Sequence, residues 1–98
     1  MVKHIVVWRV KDTPPGKQAN ALRVKQLLEG MRGKIPGLLH VECGINFLDN
    51  PAASDVVLYS EFPNRAALAD YATHPDHEAV KPLIGELTLD RRVVDYDC

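Results

Sequence analysis

One short segment holds most of the side chains in this sequence that can move protons. Tyr71–Glu78 reads YATHPDHE and contains a tyrosine, two of the four histidines and two carboxylates. A neutral histidine beside a tyrosine can act as a base–acid pair. The residue types therefore make His77 and Tyr71 catalytic candidates. The alternative is structural, with His74 capping a helix and His77 packing against a strand edge.

The same segment offers only a weak metal site. His74, His77 and Glu78 can share one helix face, but a closed set of nitrogen and sulfur donors is missing. The pair His77-Glu78 begins an HExxH zinc motif, yet position 81 is lysine. The chain also lacks GxGxxG, P-loop, GxSxG and CxxC motifs. We therefore expect neither a metal nor a cofactor.

A third histidine stands out because of its surroundings. His4 alternates with valines and Trp8 along Val2–Val10, which places it on an apolar strand face. A buried imidazole needs a hydrogen-bond partner. That partner lies either in a core or dimer interface, or in a pocket facing the tyrosine and last histidine of Tyr71–Glu78. In the pocket interpretation, His74, His4, Val6 and Trp8 bind the ligand.

Alternating apolar residues predict four strands. They cover Val2–Val10, His40–Leu48, Asp55–Phe62 and Arg91–Tyr96. The first strand is apolar on both faces in its middle, which is typical of a central strand covered on both sides. Any chemistry is expected between this strand and the start of the last helix.

Helical spacing of apolar residues predicts the remaining elements. Residues 17–33 carry a stripe at i, i+3, i+4 and i+7 and end near Gly33. A second helix begins after the N-cap Asn64 and is interrupted at Thr73-His74-Pro75, because proline disfavours helix in the preceding residue. A helix resumes at Pro75, and Pro82 is expected to kink it or end it early.

The element order βαββαβ predicts an α+β, ferredoxin-like fold with a four-stranded antiparallel sheet. Helices would cover one sheet face. The other face is too apolar to meet water, so a second copy is the simplest cover. The predicted assembly is a twofold homodimer with its sheets packed face to face, forming a dimeric α/β barrel.

Composition excludes several classes of partner. The 98 residues predict one domain, 1–98, and 12 basic against 13 acidic residues give a net charge of −1. This balance argues against nucleic acid. The longest apolar run, Ile5–Trp8, argues against a membrane segment, and we expect a cytoplasmic protein. Cys43 is expected to be buried and Cys98 terminal and free, too far apart for a disulfide framework.

Several segments together resemble the stress-responsive dimeric α/β-barrel (Dabb) domain family. They are the opening VKHIVVW, the IPG turn at 35–37, the strand 55–62, the segment ADYATHPDH at 69–77 and the closing RVVDY at 92–96. The resemblance runs from Met1 to Asp97. It implies a ferredoxin-like fold and a dimeric barrel.

For function, the resemblance implies a small hydrophobic ligand or substrate. One plant member of the family is a polyketide cyclase whose proposed catalytic tyrosine and histidine correspond to Tyr71 and His77. Its pocket histidines correspond to His4 and His74, and a further one falls near Val56 and is missing here. Three functions stay open: a homodimeric binder of a small hydrophobic molecule, a cofactor-free cyclase, isomerase or lyase, and a non-catalytic stress-related structural protein.

Overall fold

Four strands and three helices follow one another along the chain in a computed structural model that describes all 98 residues. The strands are β1 (Val2–Val10), β2 (His40–Ile45), β3 (Val56–Phe62) and β4 (Thr88–Asp97). The helices are α1 (Lys17–Glu29), α2 (Arg65–Thr73) and α3 (Pro75–Leu87). The predicted order of elements is confirmed, and so is the interruption that separates α2 from α3.

The strands form one antiparallel sheet in the order β2-β3-β1-β4. The predicted central position of β1 is confirmed, because it pairs with β3 on one side and β4 on the other. This order and the crossover helices are those of a ferredoxin-like fold.

The helices cover one face of the sheet, which we call the inner face. On β1 this face carries Val2, His4, Val6, Trp8 and Val10, all of them buried. Side chains of α1, α2 and β3 pack on it, including Val24, Leu28, Leu58, Phe62 and Tyr71. The opposite, outer face is not covered within one chain, and its β1 residues are only half-buried or exposed.

The second strand is shorter than the pattern predicts. β2 ends at Ile45, and Phe47, expected on the same face as Val41, is 99% exposed. The side chain of Asn46 is the physical reason. It accepts a hydrogen bond from Leu48 N at 3.0 Å and donates to the Leu48 carbonyl at 2.9 Å. Such a local side-chain turn takes the backbone out of the strand ladder.

Of the two outcomes expected at Pro82, a kink or an early end of the helix, the early end is wrong, since α3 continues to Leu87. An interior proline removes one backbone hydrogen bond and costs about 3 kcal/mol. Burial of the inward side of α3 offsets that cost. Ile84 is buried, and Val80 and Leu87 pack against the core on either side of the proline.

Helix α1 also ends before the predicted boundary, and β4 is longer than predicted. Tight turns follow Glu29 as far as Gly33, whose positive φ of 76° reverses the chain. None of the three helices is long and apolar enough to cross a membrane.

The turn at Gly37 should limit how closely α2 packs on the rest of the fold. Gly37 has φ of 84°, and a Cβ there would lie 2.9 Å from the Ala67 Cβ on α2. We expect Gly37→Ala to lower the free energy of unfolding by about 2–3 kcal/mol, combining backbone strain with overpacking. Urea denaturation measures the change.

Gly33→Ala is the matched control. Gly33 also has positive φ, but a Cβ there meets nothing within 4 Å. We expect this variant to lose only the strain energy, about 1 kcal/mol. Equal losses in the two variants would contradict a tight contact between the turn and α2.

Candidate functional site

A cavity of about 650 Å³ lies between the inner face of the sheet and helices α2 and α3. Five of the six residues predicted for a site line it: His4, Val6 and Trp8 from β1, Tyr71 from α2 and His77 from α3. Apolar side chains, among them Leu28, Leu58, Val80 and Ile84, form the rest of the wall. A volume of this size accommodates a small organic molecule.

The break between α2 and α3 determines where His77 points. His74 has an extended backbone, as expected before proline, and its Nδ1 accepts a hydrogen bond from Asp76 N at 3.1 Å. The break frees carbonyls at the end of α2, which need other donors. His77 Nδ1 and Lys81 Nζ both donate to the Ala72 carbonyl at 3.1 Å.

This contact fixes the protonation pattern of His77. A carbonyl only accepts, so Nδ1 bears the hydrogen and Nε2 of the neutral ring keeps a lone pair. Burial lowers the pKa of His77 from its usual 6.5, an effect that the hydrogen bond to Ala72 opposes and the Lys81 charge reinforces. At neutral pH the ring is therefore a neutral base with a free Nε2.

Tyr71 is the most tightly enclosed of the chemical groups. It is 1% exposed, stacks on His77 with ring centroids 4.2 Å apart, and meets Phe62 at 5.0 Å. Burial raises the pKa of its phenol to about 12, and the charge of Arg91 acts in the opposite direction. Its hydroxyl is the one buried side-chain polar atom without a hydrogen-bond partner. Because Tyr71 lines the cavity, this unsatisfied donor is a candidate to bind a ligand's oxygen.

His4 has both the partner and the pocket position that the sequence left as alternatives. Its Nδ1 donates to the carboxylate of Asp95, the residue directly opposite on β4. Its ring lies edge-on to Tyr71 at 5.9 Å. The Asp95 carboxylate stabilises the ring orientation and leaves Nε2 as the remaining polar atom of His4.

His74 lies apart from the other predicted site residues. It does not line the cavity, and its ring caps α3, which is the structural role that the sequence allowed. The other two residues of the possible metal cluster also have partners within the chain. Glu78 pairs with Lys81 at 2.6 Å, and His77 donates to the Ala72 carbonyl. No group of three or more histidine, cysteine, aspartate or glutamate side chains is arranged to hold a metal ion.

Two functional candidates on β4 were missed by the sequence reasoning. Asp95 contacts His4, and Arg91 lines the cavity. Both lie on the inner side of β4, opposite His4 and Trp8 of β1. The available signal was the alternation of Arg91, Val93 and Asp95, which puts charged residues on an otherwise apolar face.

Comparison with known proteins finds a matching family. The profile of the Stress Responsive A/B Barrel Domain (Dabb) family matches residues 2–98. An uncharacterized protein of Streptomyces coelicolor is 29% identical over 79 residues, which are 81% of this chain and 81% of that protein.

Solved structures share the whole fold. A dimeric protein of unknown function with a ferredoxin-like fold, from Bacteroides fragilis, is 34% identical. It matches 99% of this chain and 95% of its own, with a TM-score of 0.84. A hydroxynitrile lyase from Passiflora edulis has the same fold with a TM-score of 0.80 over 97% of this chain and 90% of its own, at 16% identity.

The lowered pKa of His77 predicts acid sensitivity. The unfolded chain takes up this proton near pH 6.5, whereas the folded chain does so at lower pH. The unfolded state therefore binds more protons in that interval, and the free energy of unfolding falls as pH drops. We expect the melting temperature to decrease from about pH 7.5 to about pH 5.5, and to decrease less in His77→Asn.

His77→Asn removes the titrating ring and keeps an N–H donor for the Ala72 carbonyl. His40→Asn removes an exposed imidazole on β2 and serves as the control. Identical pH profiles for wild type and His77→Asn would refute the assignment of this sensitivity to His77. Carboxylates with lowered pKa values, such as Glu29 and Glu78, titrate at lower pH and do not contribute to the difference between wild type and His77→Asn in this interval.

Proposed function

Because the chain belongs to the Stress Responsive A/B Barrel Domain (Dabb) family, we propose that it is a homodimer whose subunits each bind a small, mainly apolar molecule. The ligand occupies the cavity between the sheet and helices α2 and α3. One observation carries the proposal: Tyr71, whose buried hydroxyl has no hydrogen-bond partner, lines the cavity. A ligand oxygen that accepts from this hydroxyl offsets the cost of burying it, roughly 1–3 kcal/mol.

The homodimer rests on the outer face of the sheet. Ile5, Val7 and Val57 lie half-buried on this face, and Val94 is 60% exposed at its edge. An apolar patch of this kind is typical of an interface between subunits. The Bacteroides fragilis relative is described as dimeric, which supports the same assembly here.

Proton transfer on the bound molecule is a second candidate function. His77 Nε2 is available as a base, and the stacked Tyr71 is a donor for an oxygen that becomes negatively charged. A carbon acid bound in the cavity beside the two stacked rings would lose its proton to His77 while the phenol stabilises the enolate oxygen. A donor of this kind lowers the activation free energy by a few kcal/mol. The products would be those of a cyclase, isomerase or lyase.

The lyase class has an example in the same fold, the hydroxynitrile lyase from Passiflora edulis. At its low identity that example supports only the capacity of the fold. A purely structural stress-related role is less well supported. Nothing in such a role requires a cavity that reaches His4, Tyr71 and His77.

Tyr71→Phe should separate binding from folding. Removing an unpaired buried hydroxyl is expected to leave the free energy of unfolding unchanged or to raise it by about 1 kcal/mol. Binding of small aromatic ketones and amides, which accept from the hydroxyl, should weaken. Urea denaturation and ligand-induced shifts of the melting temperature measure the two effects.

Tyr59→Phe is the matched control, because the Tyr59 hydroxyl already donates to Glu61 at 2.6 Å. This variant should keep ligand binding and gain no stability. If Tyr71→Phe melts far lower and binds the ligands unchanged, Tyr71 is a core residue and the binding proposal fails.

The dimer predicts a mass near twice 10.9 kDa in sedimentation at micromolar concentration. Val94→Asp places a charge on the outer face and should shift the protein to monomer. Val93 is the preceding residue of β4 and lies on the inner face, opposite Val6, so Val93→Asp should stay dimeric. A stable wild-type monomer at these concentrations would disprove the assembly.

A further inference from the structure

Arg91 is the one charged residue of the cavity wall without a partner. It forms no ion pair and no side-chain hydrogen bond. The other charges of the wall are compensated: Lys81 pairs with Glu78 at 2.6 Å, and Asp90 pairs with Arg9 at 2.9 Å. The cavity therefore carries one uncompensated positive charge.

A second residue that lines the cavity carries an unpartnered donor. The Tyr71 hydroxyl has no hydrogen-bond partner, and the charge of Arg91 opposes the burial-driven rise of the Tyr71 pKa. Tyr71 lies on α2 and Arg91 on β4, so the two are brought to one cavity by the fold and are not neighbours in the sequence. Neither has an acceptor within the chain, and a negatively charged oxygen in the cavity could accept from both.

We propose that the ligand of this cavity is a carboxylic acid with an apolar body, and that Arg91 binds its carboxylate. The guanidinium fork matches the two oxygens of a carboxylate. A phosphate carries nearly two charges and is bound by several cations or backbone N–H groups, whereas this wall offers a single free cation. Val6, Trp8 and Ile84 surround the apolar body. This inference rests on the proposed binding function and specifies its ligand class.

A pair of probes with the same carbon skeleton tests the charge alone. Hydrocinnamate carries the carboxylate, and hydrocinnamamide replaces it with a neutral amide. NMR titration of the full-length protein should show hydrocinnamate binding about tenfold tighter, the lower range for a charge-assisted hydrogen bond at a partly exposed site. Salt at about 0.5 M should reduce this preference and leave the amide affinity unchanged.

Arg91→Met should abolish the preference while keeping the amide affinity. Arg91 is exposed, so the variant should fold, and its melting temperature checks this. Arg91→Lys should retain part of the preference, since the charge remains without the fork. Arg23→Met is the control for the change in net charge, because Arg23 is exposed on α1 and does not line the cavity.

The outcomes distinguish the two proposals. If wild type binds both probes equally, or if Arg91→Met keeps the preference, the carboxylate proposal is overturned and the binding function stands. If wild type binds neither probe, both proposals fail together. A preference that is lost in Arg91→Met and kept in Arg23→Met supports the assignment.

Discussion

The interruption of the helical layer at His74-Pro75 is the constraint on which the site depends. Proline holds the preceding residue in an extended conformation, so α2 must stop and leave a carbonyl without its helical partner. His77 satisfies that carbonyl at Ala72, which fixes the ring and its neutral form. The same contact lays the imidazole on Tyr71. Without the break, Tyr71 and His77 would lie on different sides of one continuous helix, and their rings could not stack.

The central strand joins this arrangement to the core. β1 presents His4, Val6 and Trp8 on one face, so a single apolar stripe supplies both packing and cavity wall. Burying the imidazole of His4 in that stripe is tolerable because Asp95 lies directly opposite. The antiparallel register of β1 and β4 is therefore a requirement of the site as well as of the sheet.

Two polar groups in the cavity wall are left without partners within the chain. The buried hydroxyl of Tyr71 breaks the rule that buried polar groups are hydrogen-bonded, and the exposed guanidinium of Arg91 leaves one charge of the cavity wall unpaired. Natural proteins break such rules mainly at functional sites and offset the cost in the surrounding core. Here Leu28, Phe62 and Tyr71 are each at most 2% exposed, and this packing can offset the cost of an unsatisfied hydroxyl.

Features that depend on neighbours in the chain were predictable. The alternation of β1, the Asn64 cap and the helix break at Pro75 rest on side chains within one turn or one strand, and each appears in the structure. These local features, with the resemblance to a known family, also brought His4, Tyr71 and His77 together as candidates.

The remainder depended on contacts between distant parts of the chain. Sequence spacing does not predict the strand register that places Asp95 opposite His4. It also does not predict that Arg91 lines the cavity. Helix α3 continues past Pro82 because Val80, Ile84 and Leu87 are buried against the core, and local propensity does not include that energy. The sequence by itself determined the order of elements and the core stripe, since these follow from local periodicity. Only the tertiary structure decided which charges face the cavity, because strand register and helix packing are set by burial across the whole fold.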